Sequence, residues 1–327
     1  MHQADDPGIG RLQVDGGRRP ASPRGHPRTW PPRKAGPEAT GTRLLRFRKD
    51  RRAVSVVLIT LLLLAGPLFV RPEGPVAVAW VFLNGLAVFI CCIINHNHVH
   101  VRMGQTQCAN RIIALLLTVA KGHTSTTVII PHNRIHHRYG GDDRDWMPNS
   151  FAGHGWGIAR ILRYIVRSSV NTRRLRNLPG AATLGRRGAR SQFTERVTLW
   201  TVIAITLAID PVRSALFIYL PWLFGMAALV AVNLLQHDGC DPTSGHDHSR
   251  NFVGRLSNWL FFNNGYHTAH HLRPAMHWSL LPEFHRQIQG RMIRPELNQL
   301  SLWRFLVREY VFGSGPPTVV EGDAPKP

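Results

Sequence analysis

Four long apolar runs constrain the fold of this 327-residue chain more than any other feature. The first two cover residues 53–70 and 75–94, and only residues 71–74 separate them. Each run approaches the roughly 20 apolar residues that a helix needs to cross the hydrocarbon core of a bilayer. Two such runs joined by so short a turn predict a helical hairpin in a membrane.

The second pair of apolar runs covers residues 197–209 and 214–235, with a tight turn between them. The run 197–209 is the weakest candidate for a span. We therefore predict an all-α integral membrane protein with four transmembrane helices in two hairpins. Two further stretches, residues 111–120 and 155–170, are too short or too interrupted to span, and we predict helices lying at the membrane surface there.

The basic residues of the chain indicate its orientation. A formal net charge of +21 would ordinarily suggest nucleic acid as a partner, but no nucleic-acid-binding motif accompanies it, so none is expected. Arginine and lysine instead flank the apolar runs, as the positive-inside rule expects of cytoplasmic segments. Five of them precede the first run: Arg46, Arg48, Lys49, Arg51 and Arg52. Both termini are therefore predicted to be cytoplasmic.

The two ends of the chain differ from its middle. Residues 1–50 are rich in Pro, Gly and Arg without a hydrophobic period, which predicts a disordered tail and no secretory signal. Residues 313–327 are predicted to form a second disordered tail, leaving residues 51–312 as one membrane domain. The four cysteines form no CxxC pair, so neither a disulfide framework nor a structural zinc site is expected.

Histidines carry the chemical information, because eight of the 18 fall in three short groups beside or between the apolar runs. We refer to them as box one (His96, His100), box two (His132, His136, His137) and box three (His267, His270, His271). Residues four apart share a helix face, so His96 and His100, and likewise His132 and His136, are expected to contact one ion. His137 lies about 100° around the helix and can reach a second ion.

A ninth candidate ligand is His237, which follows the fourth apolar run. Asn233, one turn earlier, shares its face and is expected to hydrogen-bond a metal-bound water. Eight box imidazoles exceed the four ligands that zinc usually takes, which favours two metal ions sharing one site. Imidazole suits iron, copper, zinc and nickel, so the residues alone leave the metal open.

The remaining histidines are predicted to be ordinary polar or surface residues. His98 is expected to face away from box one, and His246 and His248 are expected to lie in a solvated loop. The others in this class are His2, His26, His123, His154, His277 and His285.

At its boxes the chain resembles the membrane fatty acid desaturase family, over roughly residues 50–310. The boxes have the family's forms HxxxH, HxxxHH and HxxHH, and residues 263–274 (NNGYHTAHHLRP) are the most specific segment. The resemblance implies a four-span fold with a cytoplasmic helical cap that holds a non-haem di-iron site. It also implies O2 as co-substrate, introduction of a double bond into a lipid acyl chain, and the roles given above to His237 and Asn233.

Two segments, residues 132–138 and 233–239, are also similar to membrane alkane hydroxylases, which use a related di-iron site. Removal of a second hydrogen gives an alkene and transfer of a hydroxyl gives an alcohol, so the boxes do not separate desaturation from hydroxylation of an acyl, alkyl or isoprenoid chain. No HPGG haem motif is present. A separate electron donor of the ferredoxin, rubredoxin or cytochrome b5 type is therefore expected.

Interpretations that assign the chain to another functional class of protein have less support. A His-rich membrane metal transporter would place its ligands near the bilayer midplane, whereas these boxes lie at the ends of apolar runs. A sensor or interaction protein would not need three complete boxes. Losing one box by mutation should abolish turnover of an oxidase but only weaken a transporter or scaffold.

Two groups of side chains have both a functional and a plain interpretation. An apolar substrate channel could use Trp80, Phe82, Phe89, Trp222 and Phe224, although packing or lipid contact explains them better. Arg134, Arg138, Arg144 and the basic residues 173–190 could receive an acidic electron carrier or an anionic acyl head group. A surface facing solvent or lipid head groups explains most of them more simply.

Overall fold

The computed structural model describes residues 44–171 and 184–318 of the chain, which are mostly helical. Both predicted tails lie largely outside these residues, as do His2, His26 and much of the basic stretch 173–190. The helices in chain order are α1 (Asp50–Val70), α2 (Gly74–His100), α3 (Gln107–Lys121), α4 (His137–Tyr139), α5 (Gly157–Val170), α6 (Gly185–Ile209), α7 (Pro211–His237), α8 (Arg255–Leu260), α9 (His267–Leu272), α10 (Leu281–Met292) and α11 (Leu302–Leu306).

Three of the described helices, α1, α2 and α7, are long and apolar enough to cross a membrane. The first two form the predicted hairpin. Arg71 ends α1 in the left-handed conformation at φ 55°, and a proline in the first turn of α2 starts the next helix. The first hairpin prediction is therefore confirmed in its local structure.

The second predicted hairpin has a different character. Asp210 caps α7, its side chain accepting a hydrogen bond from the Arg213 N–H at 2.9 Å, and the chain turns there as predicted. The preceding helix α6 begins at Gly185, however, and its first half is polar and basic. It is not among the three helices that qualify as spans, so length and composition do not support the predicted third span.

A fourth apolar unit begins where the first surface helix, residues 111–120, was predicted. Helix α3 and the following helical segment Ser125–Tyr139 together are long and apolar enough to cross, but they are bent by 92° at the break. Gly122 ends α3 at φ 73°, and a Cβ there would lie 2.2 Å from the Trp222 ring, so glycine is required. The described chain thus has three apolar helices, or four if the bent pair counts as one span.

The position of the site follows from the close packing of α2 against α7. Gly225 of α7 faces Val88, where an added Cβ would lie 2.5 Å from the valine side chain, and Gly85 of α2 faces Phe224 in the same way. Small residues at such a crossing allow the two backbones to approach closely. The C-terminal ends of α2 and α7 therefore lie side by side, and these ends carry box one and His237.

The remaining segments cover those two helix ends. Strands β1 (Asn251–Phe252) and β2 (Asn298–Gln299) form a small parallel sheet in the C-terminal part of the chain. Gly265 passes so close to this sheet that a Cβ would lie 2.1 Å from the Phe252 carbonyl oxygen. Box three begins two residues later on α9, so this contact sets the position of α9 relative to the helix ends.

Candidate metal centre

All nine predicted histidine ligands come together in two clusters in the described part of the chain. In each cluster one ring nitrogen per residue lies within 4.8 Å of the others. The five-histidine cluster contains His96, His100, His132, His137 and His270. The four-histidine cluster contains His136, His237, His267 and His271. His98 lies in neither cluster; it is buried and its Nδ1 accepts from the Met103 N–H at 3.4 Å.

Two of the boxes follow ordinary helical spacing. His96 and His100 stand one turn apart at the end of α2 and face the same cluster. In box three, His267 and His271 are also one turn apart on α9 and belong to the four-histidine cluster. His270 lies about 100° away from His271 around the helix and contributes to the other cluster.

Box two does not follow the predicted spacing. His132 was expected to pair with His136, but it shares a cluster with His137 instead, with 3.2 Å between their Nε2 atoms. The segment Ile129–His136 is a π-helix, in which hydrogen bonds run from i to i+5 and the turn is wider than in an α-helix. The wider turn aligns residues five apart, so His136 faces the four-histidine cluster.

The spacing of the ring nitrogens fits a metal site. In the five-histidine cluster, Nε2 of His137 lies 3.1 Å from Nε2 of His100. In the other cluster, Nε2 of His267 lies 2.9 Å from that of His237 and 3.1 Å from that of His271. Ligands at about 2.0–2.1 Å from one ion and at right angles to each other would be about 3.0 Å apart.

Buried ring nitrogens without a hydrogen-bond partner support the same interpretation. His136 Nε2 and His270 Nε2 are buried and unpaired within the described residues. A buried polar atom is expected to have a partner, and an imidazole nitrogen aimed at other imidazoles finds one in a cation. The donor set is therefore compatible with metal binding in both clusters.

The charge state of box three suits ligation. Burial, followed by the neighbouring imidazoles, holds the pKa of His267, His270 and His271 well below 6.5. The three rings are therefore neutral near pH 7 and each has a lone pair for a metal. The two clusters are in contact, because the rings of His137 and His271 are 4.4 Å apart.

A carboxylate orients one ligand and was missed in the sequence. Asp145, fully buried, accepts a hydrogen bond from His136 Nδ1 at 2.7 Å, so His136 Nε2 points into the four-histidine cluster. The same carboxylate accepts from the Gly141 N–H at 2.8 Å. Carboxylate–histidine pairs of this kind fix the tautomer and orientation of a metal ligand. An acid nine residues beyond a histidine carries no periodic signal, so sequence reasoning had no means to select it.

His237 is oriented by backbone groups. Its Nδ1 donates to the His248 carbonyl oxygen at 3.0 Å, and the Asn149 side chain donates to the His237 carbonyl oxygen at 3.0 Å. His248 lies in a loop, as predicted, but its side chain is half-buried. Its ring lies 5.1 Å from that of His271, and burial lowers its pKa to about 4.

Asn233 lies one turn before His237 on α7, as predicted. Its Nδ2 donates to the Tyr164 hydroxyl at 2.8 Å, and the same hydroxyl donates to the Met147 carbonyl oxygen at 3.1 Å. Burial raises the pKa of Tyr164, so its hydroxyl stays protonated. This contact fixes the amide plane of Asn233, and its contact with a metal-bound water remains a prediction.

The other histidines differ in environment. His154 is exposed, and His277 is buried against Asp50, with 3.0 Å between Nε2 and a carboxylate oxygen. His285 is buried with neither ring nitrogen hydrogen-bonded within the described residues. His123 hydrogen-bonds the Lys121 carbonyl oxygen at 2.9 Å. None of them belongs to either cluster.

The aromatic side chains proposed for a channel do not converge. Phe82 and Phe224 are exposed on the surface of the apolar helices, and Phe89 is packed in the core. Trp80 hydrogen-bonds the Leu63 carbonyl oxygen at 2.9 Å. Trp222 lines a cavity of about 240 Å³ beside Lys121 at the end of α3.

The fold and the site together define an integral membrane protein with an all-histidine metal-binding centre at the ends of its apolar helices. Residues 72–303 match the family model for fatty acid desaturases. The match covers more than half of the chain, which therefore belongs to the fatty acid desaturase family and is an oxidoreductase. No curated protein matches the chain.

Proposed function

We propose that this protein is an O2-dependent fatty acyl desaturase that uses two iron ions held by the nine clustered histidines. The observation that carries the proposal is the pair of clusters in direct contact at the ends of two apolar helices. One cluster alone would serve a single metal, and two sharing a boundary suit a pair of ions. The family assignment favours iron, because imidazole itself does not discriminate.

When bound, the two iron ions would supply the activation of O2 and the removal of hydrogen from an unactivated methylene. The protein holds the ring nitrogens in place and keeps them unprotonated. Asp145 and the His248 carbonyl oxygen each fix one ligand tautomer in the four-histidine cluster. Packing of α9 against the small sheet holds box three over the ends of α2 and α7.

We also propose that the clusters lie at the cytoplasmic membrane face. The five basic residues before the apolar run of α1 favour a cytoplasmic start of that helix. The chain crosses to the other face in α1 and returns in α2, whose last turn carries box one. Helix α3 starts seven residues after His100, and its partner segment ends in box two. Both ends of the bent pair thus lie on one face, which supports a re-entrant loop.

The spans and the cap, which lie within residues 51–312, would then form one catalytic domain. Only three described helices qualify as spans by themselves. A fourth crossing is nevertheless needed to bring α7 back to the cytoplasmic face, and α6 provides it in this proposal. The hydrogen bond between the Thr206 and Tyr219 hydroxyls, 2.7 Å long, supports pairing of α6 with α7.

Electrons would come from a separate donor of the ferredoxin, rubredoxin or cytochrome b5 type, and the substrate would be a membrane lipid or another acyl compound. Hydroxylation is the second candidate, favoured by the similarity of residues 132–138 and 233–239 to alkane hydroxylases. The two reactions share every histidine ligand. Substrate position decides between them.

The test is lipid mass spectrometry of a host that expresses this chain together with a ferredoxin and its reductase. A product lighter by two hydrogens, absent with His270→Ala and retained with the exposed His154→Ala, would establish desaturation. A product heavier by one oxygen atom would establish hydroxylation. Equal product from wild type and His270→Ala would refute the role of the clusters.

A further inference from the structure

A second cavity with a different chemistry is lined by none of the clustered histidines. It has a volume of about 680 Å³, within the size range of pockets that hold small ligands. Five basic residues line it, together with polar and aromatic side chains. The lining residues are Arg48, Lys49, Arg51, Arg52, Arg255, Asn258, Trp259, Asn263, Tyr266 and Trp278.

The positive charge of this basic pocket is not neutralised by the protein. Within the described residues, none of its five basic side chains is ion-paired with a carboxylate, and no acid lines the cavity. The nearest acid along the chain, Asp50, does not line the cavity. It is fully buried and its Oδ1 accepts from His277 Nε2 at 3.0 Å and Trp278 Nε1 at 2.9 Å. Five like charges around one cavity repel each other unless an anion lies among them.

The walls of the pocket are held in place by contacts of their own. The Arg52 guanidinium lies over the rings of Trp259 and Phe262, at 4.7 and 4.2 Å from their centroids. Asn258 donates to the Phe252 carbonyl oxygen at 2.7 Å and accepts from the Gly265 N–H at 3.1 Å. These contacts fix the part of the wall formed by Arg52, Trp259 and Asn258 without a ligand.

The pocket lies at the level where apolar and basic residues meet. Its four basic residues between positions 48 and 52 lie at the start of α1, whose apolar sequence begins at Ala53. On the other side, helix α8 exposes Leu256 and Trp259, which are 77% and 62% accessible. A tryptophan beside arginines at the end of an apolar helix is typical of the membrane interface.

We propose that the basic pocket binds the head group of an anionic phospholipid in the leaflet next to the metal centre. Basic pockets beside membrane helices are typical sites for such head groups. The negatively charged phosphate of the head group would lie among the five cations, and the acyl chains would extend along α1 and α8. The bound lipid would join the start of α1 to the segment that ends in Tyr266, directly before box three.

The experiment is native mass spectrometry of the full-length protein in dodecyl maltoside, titrated with palmitoyl-oleoyl phosphatidylglycerol or the corresponding phosphatidylcholine. The test variant is Arg48→Gln/Arg51→Gln/Arg255→Gln, whose three side chains are exposed. The matched control is Arg186→Gln/Arg291→Gln/Arg304→Gln, which removes the same charge from exposed positions outside the pocket. Thermal unfolding without added lipid checks that each variant folds.

We expect wild type and control to bind phosphatidylglycerol more tightly than phosphatidylcholine. The test variant should lose affinity for phosphatidylglycerol by about fivefold per arginine, on the order of a hundredfold for three. Should the variant not fold, the wild type remains testable, because its phosphatidylglycerol affinity should fall steeply with added salt.

Three results would overturn the proposal. They are equal binding of the two lipids, an unchanged affinity of the folded test variant, and displacement of phosphatidylglycerol by palmitoyl-CoA at lower concentration. The last result would assign the pocket to a water-soluble acyl thioester with phosphate groups. Lipid binding is measured without turnover, so this outcome is independent of the proposed desaturation.

Discussion

Replacement of Asp145 by asparagine tests whether a buried carboxylate controls metal binding in the four-histidine cluster. In the wild type, one carboxylate oxygen accepts from His136 Nδ1 at 2.7 Å and from the Gly141 N–H at 2.8 Å. The other oxygen accepts from the Met147 N–H at 3.3 Å. The asparagine NH2 group donates and cannot accept, so either orientation of the amide leaves at least one of these N–H groups without an acceptor.

The magnitude follows from the burial of the pair. Both side chains are inaccessible to solvent, so water cannot replace the missing acceptor. A buried unsatisfied donor costs about 1–3 kcal/mol, and a hydrogen bond to a charged group is worth a similar amount. This energy corresponds to a roughly 10- to 100-fold loss of metal affinity, the range found when partners of histidine ligands are removed.

The assay is iron content per chain after anaerobic loading and dialysis against increasing concentrations of a competing chelator. Asp145→Asn should release the first iron at about 10- to 100-fold lower chelator concentration than the wild type. The second iron, in the five-histidine cluster, should be retained as in the wild type. Asp142→Asn is the matched control, because Asp142 pairs with the exposed Arg144 and contacts neither cluster. A folded Asp145→Asn protein with the iron retention of wild type would refute this reasoning.

Three further predictions test the site and its support. His136→Ala leaves three ligands in its cluster and should reduce the retained iron to about one ion per chain. His137→Ala leaves four ligands in the other cluster, so this variant should retain both iron ions. Equal iron losses in the two variants would contradict the π-helical register. The imidazoles of box three stay neutral in the folded protein and bind protons near their ordinary pKa of 6.5 only when the chain is unfolded. Lowering the pH from about 7.5 to about 5.5 should therefore reduce the free energy of unfolding of the metal-free protein by about 1 kcal/mol per imidazole. A thermal unfolding temperature that does not fall at the lower pH would argue against neutral buried rings. Gly265→Ala should destabilise the protein by about 1–3 kcal/mol and weaken iron retention, while Gly290→Ala, where an added Cβ meets nothing, should not; equal thermal unfolding temperatures would exclude the close contact.

Sequence patterns with short range predicted a large part of the molecule. Apolar runs identified α1, α2 and α7, because the length needed to cross a bilayer is a local property of composition. Spacing within the boxes identified eight of the nine clustered histidines, and the position after the fourth apolar run identified His237. The family resemblance found in the boxes is confirmed by the match over residues 72–303. Ligand identity is readable in sequence because a helix brings residues three, four or five apart together.

The distribution of those histidines between two clusters depended on tertiary structure. The pairing of His132 with His137 requires a π-helical turn, and nothing in the local composition distinguishes it from an α-helical turn. Asp145 and the His248 carbonyl oxygen reach their histidines through loops, in which sequence distance does not set spatial distance. The bend after α3 depends on Gly122 passing against Trp222, 100 residues along the chain.

The basic pocket was likewise predictable from local sequence only in part. Its basic residues before the first apolar run were predicted to mark the membrane orientation, since they adjoin that run. That Arg255 and Trp259 lie opposite them was not predictable, because about 200 residues separate the two sides of the cavity. Sequence by itself determined the three long apolar helices and the side chains that can bind metal, since both depend on neighbours along the chain. Tertiary structure decided which of those side chains meet, because contacts between distant segments arise only when the helices pack.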